Sequence, residues 1–277
     1  MKHTSGIPRV SGCTGTSPVA MFGAMVLLSV TSASAAAVAD GPGPLGVTVV
    51  AAADAQSARV GALFPADLGS HLEGNHFCTA SVVHSPQRDL IMTAAHCLGE
   101  DRSDLVFAPG YRDGRTPYGL WKLGRRFFPD RWSKDQDEDS DLAFAVVAPE
   151  SGTGTAEKSG AETPAGGERI EDAVGANRFV AGEATGARGV TVIGYPDSGE
   201  TPISCSNRPS VQSPTQQRIA CPGFTDGTSG SPWVDGDHEV VGVLGGHEQG
   251  GSTADVSYSV ALRAKAAELY QDAVRGR

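Results

Sequence analysis

The sequence predicts an all-β protein that ends in one α-helix. Glycine and proline are plentiful, with 36 and 17 among 277 residues, and they favour short strands joined by many turns. The apolar segments between these turns have strand length, and the period becomes helical in the last stretch, 261–274. The length suits one large domain or two small ones and supplies ample material for a core.

The first group of predicted strands begins at residue 60. Its members are short apolar or alternating segments, at 60–64, 76–83, 90–93, 105–107 and 142–147, with a partly buried strand pair at 118–128. The stretch 149–168 follows; it has no hydrophobic period and is predicted to be a linker.

The second group of predicted strands follows this linker. Its members lie at 178–181, 190–194, 218–221, 231–234, 239–244 and 257–261. In the final segment, six apolar residues fall on one helical face, namely Leu262, Ala266, Leu269, Tyr270, Ala273 and Val274. This spacing predicts a C-terminal amphipathic helix.

The N-terminus has the pattern of a targeting segment. Two basic residues give it a positive start, and residues 19–30 are apolar but too few to span a bilayer comfortably. Ala33–Ala35 then supplies the small residues of a signal peptidase site, with 37–39 as a second candidate. We therefore expect a signal peptide over 1–35 and a secreted protein. The alternative is an uncleaved membrane anchor.

Residues 36–59 are rich in Ala, Gly and Pro and contain no aromatic residue. This composition predicts a short pro-segment or a flexible arm. Processing between Arg59 and Val60 would create a new amino terminus at Val60. The alternative is an ordinary arginine ahead of the first strand.

The cysteines agree with export. Cys13 lies in the predicted signal peptide, and the remaining four, Cys78, Cys97, Cys205 and Cys221, allow three pairings. Disulfides persist in exported proteins. Neither a C-x-x-C nor an H-E-x-x-H spacing occurs, so a zinc site is disfavoured and no metal is expected.

Charge and composition exclude one class of partner. The formal net charge is −10, and 39% of the residues are apolar. An acidic chain is a poor ligand for phosphate backbones, so no nucleic-acid partner is expected. The negative charge mainly favours solubility.

One stretch, residues 227–232 (GTSGSP), has the form of a tight turn that presents a serine hydroxyl. Such a turn leaves backbone N–H groups unpaired, and those of Gly227 and Ser229 could form an oxyanion hole if Ser229 is a nucleophile. By itself the stretch is weak evidence of function, because small-residue turns are common in all-β proteins.

A serine hydroxyl needs a base within hydrogen-bond reach, and an imidazole titrates in the right range. His96 is the candidate base, and Asp141 is the candidate acceptor that orients its ring, since an apolar strand begins directly after it. Asp139 is the alternative carboxylate. Ser231 is the alternative nucleophile, although no glycine follows it.

In chain order, Thr93–Cys97 (TAAHC), Asp141–Ala143 (DLA) and residues 227–232 resemble the chymotrypsin/trypsin-like serine endopeptidases. The ending GTSGSP is similar to that of the bacterial glutamyl-endopeptidase (V8-like) branch. The resemblance covers roughly residue 60 to the C-terminus.

This resemblance implies a chymotrypsin-like fold of two six-stranded antiparallel β-barrels, the first at about 60–148 and the second, with the C-terminal helix, at 169–277. It implies a His96, Asp141 and Ser229 triad. It also implies disulfides Cys78–Cys97 and Cys205–Cys221, and it requires no cofactor.

The chain departs from the family pattern where substrates are selected. Thr228 replaces the aspartate of trypsin-like zymogens, and Gly223 stands where trypsin has the acid that binds Lys or Arg. A possible S1 pocket comprises Gly223, Leu244, Gly245 and His247. Leu244 lies near the position where glutamyl endopeptidases carry histidine. His247 could form the pocket wall, but an exposed loop position is favoured.

The function expected from the sequence is that of a secreted, monomeric serine endopeptidase acting on peptide or protein substrates, without stable membrane association. The alternative is a catalytically silent homologue that binds peptides or proteins. An α/β-hydrolase esterase is disfavoured, because that fold requires G-x-S-x-G and the order Ser, Asp, His.

Overall fold

The computed structural model of the protein describes residues 44–69, 71–99, 104–149 and 168–276. All of them belong to one compact unit, Gly41–Arg277. The predicted signal peptide, the first part of the predicted pro-segment or arm, and most of the predicted linker lie outside the described residues.

The described part of the chain is built mainly from short strands. These are β1 (Val47–Val50), β2 (Val60–Pro65), β3 (Cys78–Val83), β4 (Leu90–Thr93), β5 (Leu105–Pro109), β6 (Trp121–Phe127), β7 (Ala143–Pro149), β8 (Arg178–Phe179), β9 (Val190–Gly194), β10 (Ile203–Asn207), β11 (Ser210–Val211), β12 (Gln216–Ala220), β13 (Pro232–Asp235), β14 (Glu239–Val243) and β15 (Val256–Val260). The α-helices are α1 (Ala55–Ala58), α2 (Asp130–Asp135), α3 (Ile170–Val174) and α4 (Ala264–Arg275). Short 3₁₀ turns lie at Ala66–Leu68, Ala95–Leu98, Glu138–Ser140 and His247–Gly250.

The first half forms a closed barrel in the order β2-β3-β4-β7-β6-β5. Neighbouring strands are antiparallel throughout. Its core includes Leu63, Ile91, Phe107 and Trp121, all fully buried. Every residue of β3 and β4 is buried, so both faces of these two strands are covered.

The second half contains a six-stranded sheet, in the order β1-β10-β9-β13-β14-β8, and a three-stranded sheet, β11-β12-β15. An isolated bridge between Leu244 and Ser259 joins them. The all-β, chymotrypsin-like fold class is confirmed. Within the described residues, the second half differs from the expected closed six-stranded barrel, because its two sheets are joined by a bridge from Leu244, the residue after β14, to Ser259 of β15 rather than by a continuous ladder.

The segment predicted to be a pro-segment or flexible arm contains regular structure in its second part. Strand β1 pairs with β10 over four residues, and α1 is closed by a capping box at Asp54. Residues 47–58 therefore include a paired strand and a capped helical turn, which the composition of the segment did not indicate. The strand was missed because its polar and glycine-rich flanks dominate the composition, and because its pairing partner lies about 150 residues later in the chain.

Two further differences concern strand boundaries. The predicted strand pair at 118–128 is the single strand β6, whose register with β7 shifts between Leu123 and Arg126. Strand β10 was not predicted. Its sequence, ISCSN, is largely polar, and its pairing to β1 and β9 compensates for this weak apolar signal.

The C-terminal helix is confirmed as α4. Leu269 and Ala273 are buried, and Tyr270 stacks on Phe179 with ring centroids 4.8 Å apart. The Tyr270 hydroxyl also donates a hydrogen bond of 2.7 Å to the main-chain oxygen of His84. Among the described helices, none has the length and apolar character needed to cross a membrane.

Both disulfides have the connectivity that the resemblance implies. Cys78–Cys97 ties the start of β3 to the 3₁₀ turn that follows β4, and Cys205–Cys221 ties β10 to the residue after β12.

Candidate active site

His96 lies in the 3₁₀ turn that follows β4, and its backbone is anchored on both sides. Before it, the Thr93 hydroxyl donates a hydrogen bond of 2.7 Å to the main-chain oxygen of Thr79. After it, Cys97 forms the disulfide to Cys78. The His96 side chain is 15% exposed, so most of it is covered by neighbouring residues.

Asp141 is a buried carboxylate, 1% exposed, that accepts three hydrogen bonds. Its Oδ2 accepts from Nδ1 of His96 at 2.7 Å and from the Gly246 N–H at 2.8 Å, and its Oδ1 accepts from the His96 N–H at 3.0 Å. These donors compensate the cost of burying the charge. Because an ionised carboxylate can only accept, this contact fits the tautomer with a proton on Nδ1, in which Nε2 is the acceptor.

The alternative carboxylate, Asp139, has a different partner. Its Oδ1 accepts a hydrogen bond of 2.9 Å from the side-chain amide of Gln216. Gln216 also donates to the main-chain oxygen of Glu138 at 3.0 Å, so this amide holds the loop that leads to Asp141. The geometry therefore associates His96 with Asp141.

The serine turn leaves two backbone N–H groups unpaired. The Thr228 N–H donates to the Thr225 oxygen, that of Ser231 to the Thr228 oxygen, and that of Gly230 to the Leu244 oxygen, at 2.7 to 3.1 Å. Within the described residues, the N–H groups of Gly227 and Ser229 donate to no acceptor. These are the donors that the sequence predicts for an oxyanion hole.

Ser229 differs from its neighbours in having an uncommitted hydroxyl. The hydroxyl of Ser231 is fully buried and donates to the Thr228 oxygen at 2.7 Å, and that of Thr228 donates to the Thr225 oxygen at 2.6 Å. Ser229 is partly exposed. In the part of the chain that the structure describes, neither its hydroxyl nor Nε2 of His96 forms a hydrogen bond, and such contacts are often long before substrate binds.

Thr79 connects the serine turn to the first barrel. Its N–H donates to the Ser229 oxygen at 2.7 Å, and its hydroxyl donates to the Gly227 oxygen at 3.0 Å while accepting from the Tyr195 N–H at 3.0 Å. Gly230 allows this approach, since it has a φ of +87° and a Cβ there would lie 2.0 Å from the Thr79 oxygen. Ser229 is thus linked through Thr79 to Thr93, three residues before His96.

Sequence reasoning missed Thr79 and Tyr195. Thr79 is completely buried in β3, and its hydrogen-bond partner Gly227 lies 148 residues later. No local pattern distinguishes such a threonine from any other strand residue. The signal available in the sequence was that Thr79 directly follows Cys78, a cysteine predicted to form a disulfide. This signal is weak.

An aromatic cluster supports the loop beside Gly227. His76 is buried, its Nε2 lies 2.9 Å from the Pro196 oxygen, and its ring packs among Phe64, Tyr111 and Tyr195. Burial raises the pKa of the Tyr195 phenol, so this side chain stays neutral at physiological pH. The cluster is therefore an apolar support behind the residues that contact the serine turn.

The four residues predicted for a possible S1 pocket have different environments. Gly223 is exposed, whereas Leu244 is 3% exposed and packs in the core of the second half. Gly245 lies against Asp141. The His247 side chain, in the 3₁₀ turn His247–Gly250, is 42% exposed, packs edge-to-face on Tyr258 and has Nδ1 3.6 Å from Oε2 of Glu138.

Potential metal ligands come together at one place among the described residues. The sulfurs of Cys78 and Cys97 and a ring nitrogen of His96 lie within 4.8 Å of one another. Both sulfurs belong to the disulfide, so they are not thiolates and cannot act as metal ligands.

The family model of the trypsin-like peptidase domain matches residues 78–243, which is more than half of the chain. The chain belongs to the trypsin-like peptidase family. It is a serine endopeptidase by that membership. The matched region contains all of the triad candidates and both disulfides.

Solved structures with the same fold cover most of this trypsin-like peptidase. The protease Anisep from Arthrobacter nicotinovorans is 24% identical with a TM-score of 0.66, over 83% of this chain and 100% of that one. The thermostable serine protease AL20 from an extremophilic microorganism is 23% identical with a TM-score of 0.65, over 81% and 100%. A Glu endopeptidase is 17% identical with a TM-score of 0.62, over 84% and 99%. No curated protein matches the chain.

Proposed function

We propose that this trypsin-like peptidase is an exported endopeptidase that cleaves peptide bonds through His96, Asp141 and Ser229. The observation that carries the proposal is the buried Asp141 carboxylate, which accepts a hydrogen bond from Nδ1 of His96 and leaves Nε2 available as a base. The two unpaired N–H groups beside the free Ser229 hydroxyl support it.

The first half of the reaction forms an acyl-enzyme. The Ser229 oxygen attacks the substrate carbonyl as Nε2 of His96 takes the hydroxyl proton, and Asp141 stabilises the imidazolium. The carbonyl oxygen becomes an oxyanion that accepts hydrogen bonds from the N–H groups of Gly227 and Ser229. The intermediate then collapses, the C–N bond breaks, and the imidazolium gives its proton to the leaving amine.

The second half releases the acyl group. Water attacks the ester carbon as Nε2 of His96 takes a proton from the water, and the same two N–H groups hold the second oxyanion. Collapse breaks the bond to the Ser229 oxygen, which recovers its proton from His96. The products are a carboxylic acid, an amine and the unchanged enzyme, and no cofactor takes part.

Export is the second part of the proposal. The signal-like N-terminus and the two disulfides support secretion, with cleavage after residue 35 or residue 39. The secreted form is proposed to act as a monomer on peptide or protein substrates. Residues 149–168 are proposed to connect the two halves.

Hydrolysis of a peptide library by the purified secreted protein tests the enzymatic part. Wild type is expected to cleave peptides, and Ser229→Ala is expected to lose at least about 10³-fold in kcat. Ser133→Ala is the matched control, because Ser133 is an exposed serine on α2. An inactive wild type that still binds peptides would favour the silent homologue instead.

A further inference from the structure

We infer that Thr48, on the N-terminal strand β1, is a positioning residue for residues 220–223. This segment comes shortly before Ser229 in the chain and ends at Gly223, which is predicted to belong to the S1 pocket. The inference rests on the proposed function and adds to it a residue from the segment predicted to be an arm. Thr48 is partly buried, and its hydroxyl donates a hydrogen bond to the main-chain oxygen of Pro222.

Three consecutive residues are tied to β1 and its partner strand β10. The Ala220 oxygen accepts hydrogen bonds from the Gly46 N–H at 2.8 Å and from the Asn207 side chain at 2.7 Å. Cys221 is bonded to Cys205, which lies opposite Thr48 in the β1–β10 ladder, and Pro222 is held by Thr48 itself.

The packing around the Cys205–Cys221 disulfide leaves little freedom for this connection. A Cβ at Gly46 would lie 2.5 Å from the Cys205 sulfur and 3.0 Å from the main-chain oxygen of Ser206. The strand therefore passes directly over the disulfide. Displacing β1 would remove one of the two hydrogen bonds to the Ala220 oxygen together with the hydrogen bond from Thr48 to the Pro222 oxygen.

The Thr48 methyl group borders the space next to Gly223. A Cβ placed on Gly223 would lie 3.8 Å from Cγ2 of Thr48 and 3.7 Å from Cδ1 of Ile203, which is ordinary van der Waals distance. On the other side, the Gly223 N–H donates to the Ala254 oxygen at 2.7 Å. Gly223 is one of the residues predicted for a possible S1 pocket, and in this inference the space beside it receives the side chain that precedes the scissile bond.

Thr48 therefore acts on substrate binding and selection rather than on the acylation chemistry. Its hydroxyl fixes the backbone before Gly223, and its methyl group limits the adjacent space. Because β1 is formed by residues 47–50, the active protein must keep this segment. A chain that began at Val60 would lack the whole support.

The test compares Thr48→Val, Thr48→Ser and the control Val49→Thr with wild type. Val49 is a neighbouring, exposed residue of the same strand, and threonine suits a strand. KM and kcat are measured on peptides that differ only in the residue before the scissile bond. The rate of labelling by a small fluorophosphonate reports on Ser229 separately.

Removing the Thr48 hydroxyl is expected to raise KM about fivefold, the equivalent of one net hydrogen bond, and to change the order of preferred peptides. Labelling by the fluorophosphonate should stay within about twofold of wild type, as should the KM of Val49→Thr on all peptides and that of Thr48→Ser on the peptide that wild type prefers. If Thr48→Val does not fold by near-ultraviolet circular dichroism, Thr48→Ala replaces it, because it brings no methyl group against the Pro222 oxygen.

Two results would overturn the inference. In the first, the hydroxyl-free variant matches wild type in KM and peptide order. In the second, Val49→Thr changes both as much as Thr48→Val does, which would indicate a general effect of the strand. An unlabelled wild type would remove the proposed function and this inference together, whereas a labelled wild type with either result would remove the inference alone.

Discussion

The carboxylate of Asp141 occupies the space into which a side chain at Gly245 would project. A Cβ at residue 245 would lie 2.8 Å from Oδ2 of Asp141 and 3.1 Å from the Cβ of Ala94. The same oxygen accepts hydrogen bonds from Nδ1 of His96 and from the Gly246 N–H. The second half of the chain thus limits the position of a carboxylate that orients a histidine of the first half.

Gly245→Ala is expected to reduce kcat about 100-fold with little change in KM, because displacing Asp141 misorients His96. Steady-state kinetics on a peptide substrate measures both. Gly236→Ala is the control, because it makes the same glycine-to-alanine change at a position where an added Cβ would meet no atom within 4 Å beyond its chain neighbours. Equal kcat values for Gly245→Ala and wild type would contradict the assigned role of the Asp141 geometry.

Thr79→Val is expected to lower kcat about tenfold and the free energy of unfolding by about 1–3 kcal/mol, because the buried Tyr195 N–H and Gly227 oxygen lose their partner. Thr79→Ser keeps the hydroxyl and should retain most of both. Kinetics and thermal unfolding provide the measurements. A fully active Thr79→Val would show that the turn is held without this hydroxyl.

The two disulfides are expected to contribute separately to stability and activity. Replacing either pair by alanine should lower the free energy of unfolding by about 3 kcal/mol and Tm by about 6–12 °C, given separations of 19 and 16 residues. Calorimetry measures this. Loss of Cys78–Cys97, which flanks His96 and Thr79, should reduce kcat more than loss of Cys205–Cys221 does; the reverse order would contradict the account.

The amino terminus of the secreted, active protein is expected after residue 35 or residue 39 and not at Val60. Val60 is fully buried in β2 and pairs with Ser81, and β1 before it belongs to the second-half sheet. Cleavage before Val60 would therefore break the covalent link between β1 and β2. N-terminal sequencing of the active form decides this, and an active enzyme that starts at Val60 would refute it.

Much of the fold could be predicted from the sequence, because a strand with an apolar period can be recognised from its own residues alone. Segments such as Leu90–Thr93 and Val190–Gly194 coincide with β4 and β9. Strand β1 could not be predicted, since its valines are exposed and only pairing with β10 makes it a strand. The sequence also led us to expect a closed second barrel. Whether two strands form a continuous ladder depends on their register, which residues far apart in the chain determine.

For the site, short motifs identified the histidine, aspartate and serine candidates, which carry recognisable neighbours in the chain. The residues that hold them were not recognisable. Gly246 donates to Asp141 across 105 residues, and Thr79 reaches Gly227 across 148. Such contacts involve ordinary backbone groups or a common side chain, so only the folded structure reveals them.

The structure of the protein after reaction with a fluorophosphonate tests the central claim most directly. We predict phosphorus bonded to the Ser229 oxygen, with a phosphonyl oxygen about 2.7–3.1 Å from the backbone nitrogens of Gly227 and Ser229. Nδ1 of His96 should remain hydrogen-bonded to Asp141. An adduct on a different residue, or an oxygen directed away from both nitrogens, would contradict the account.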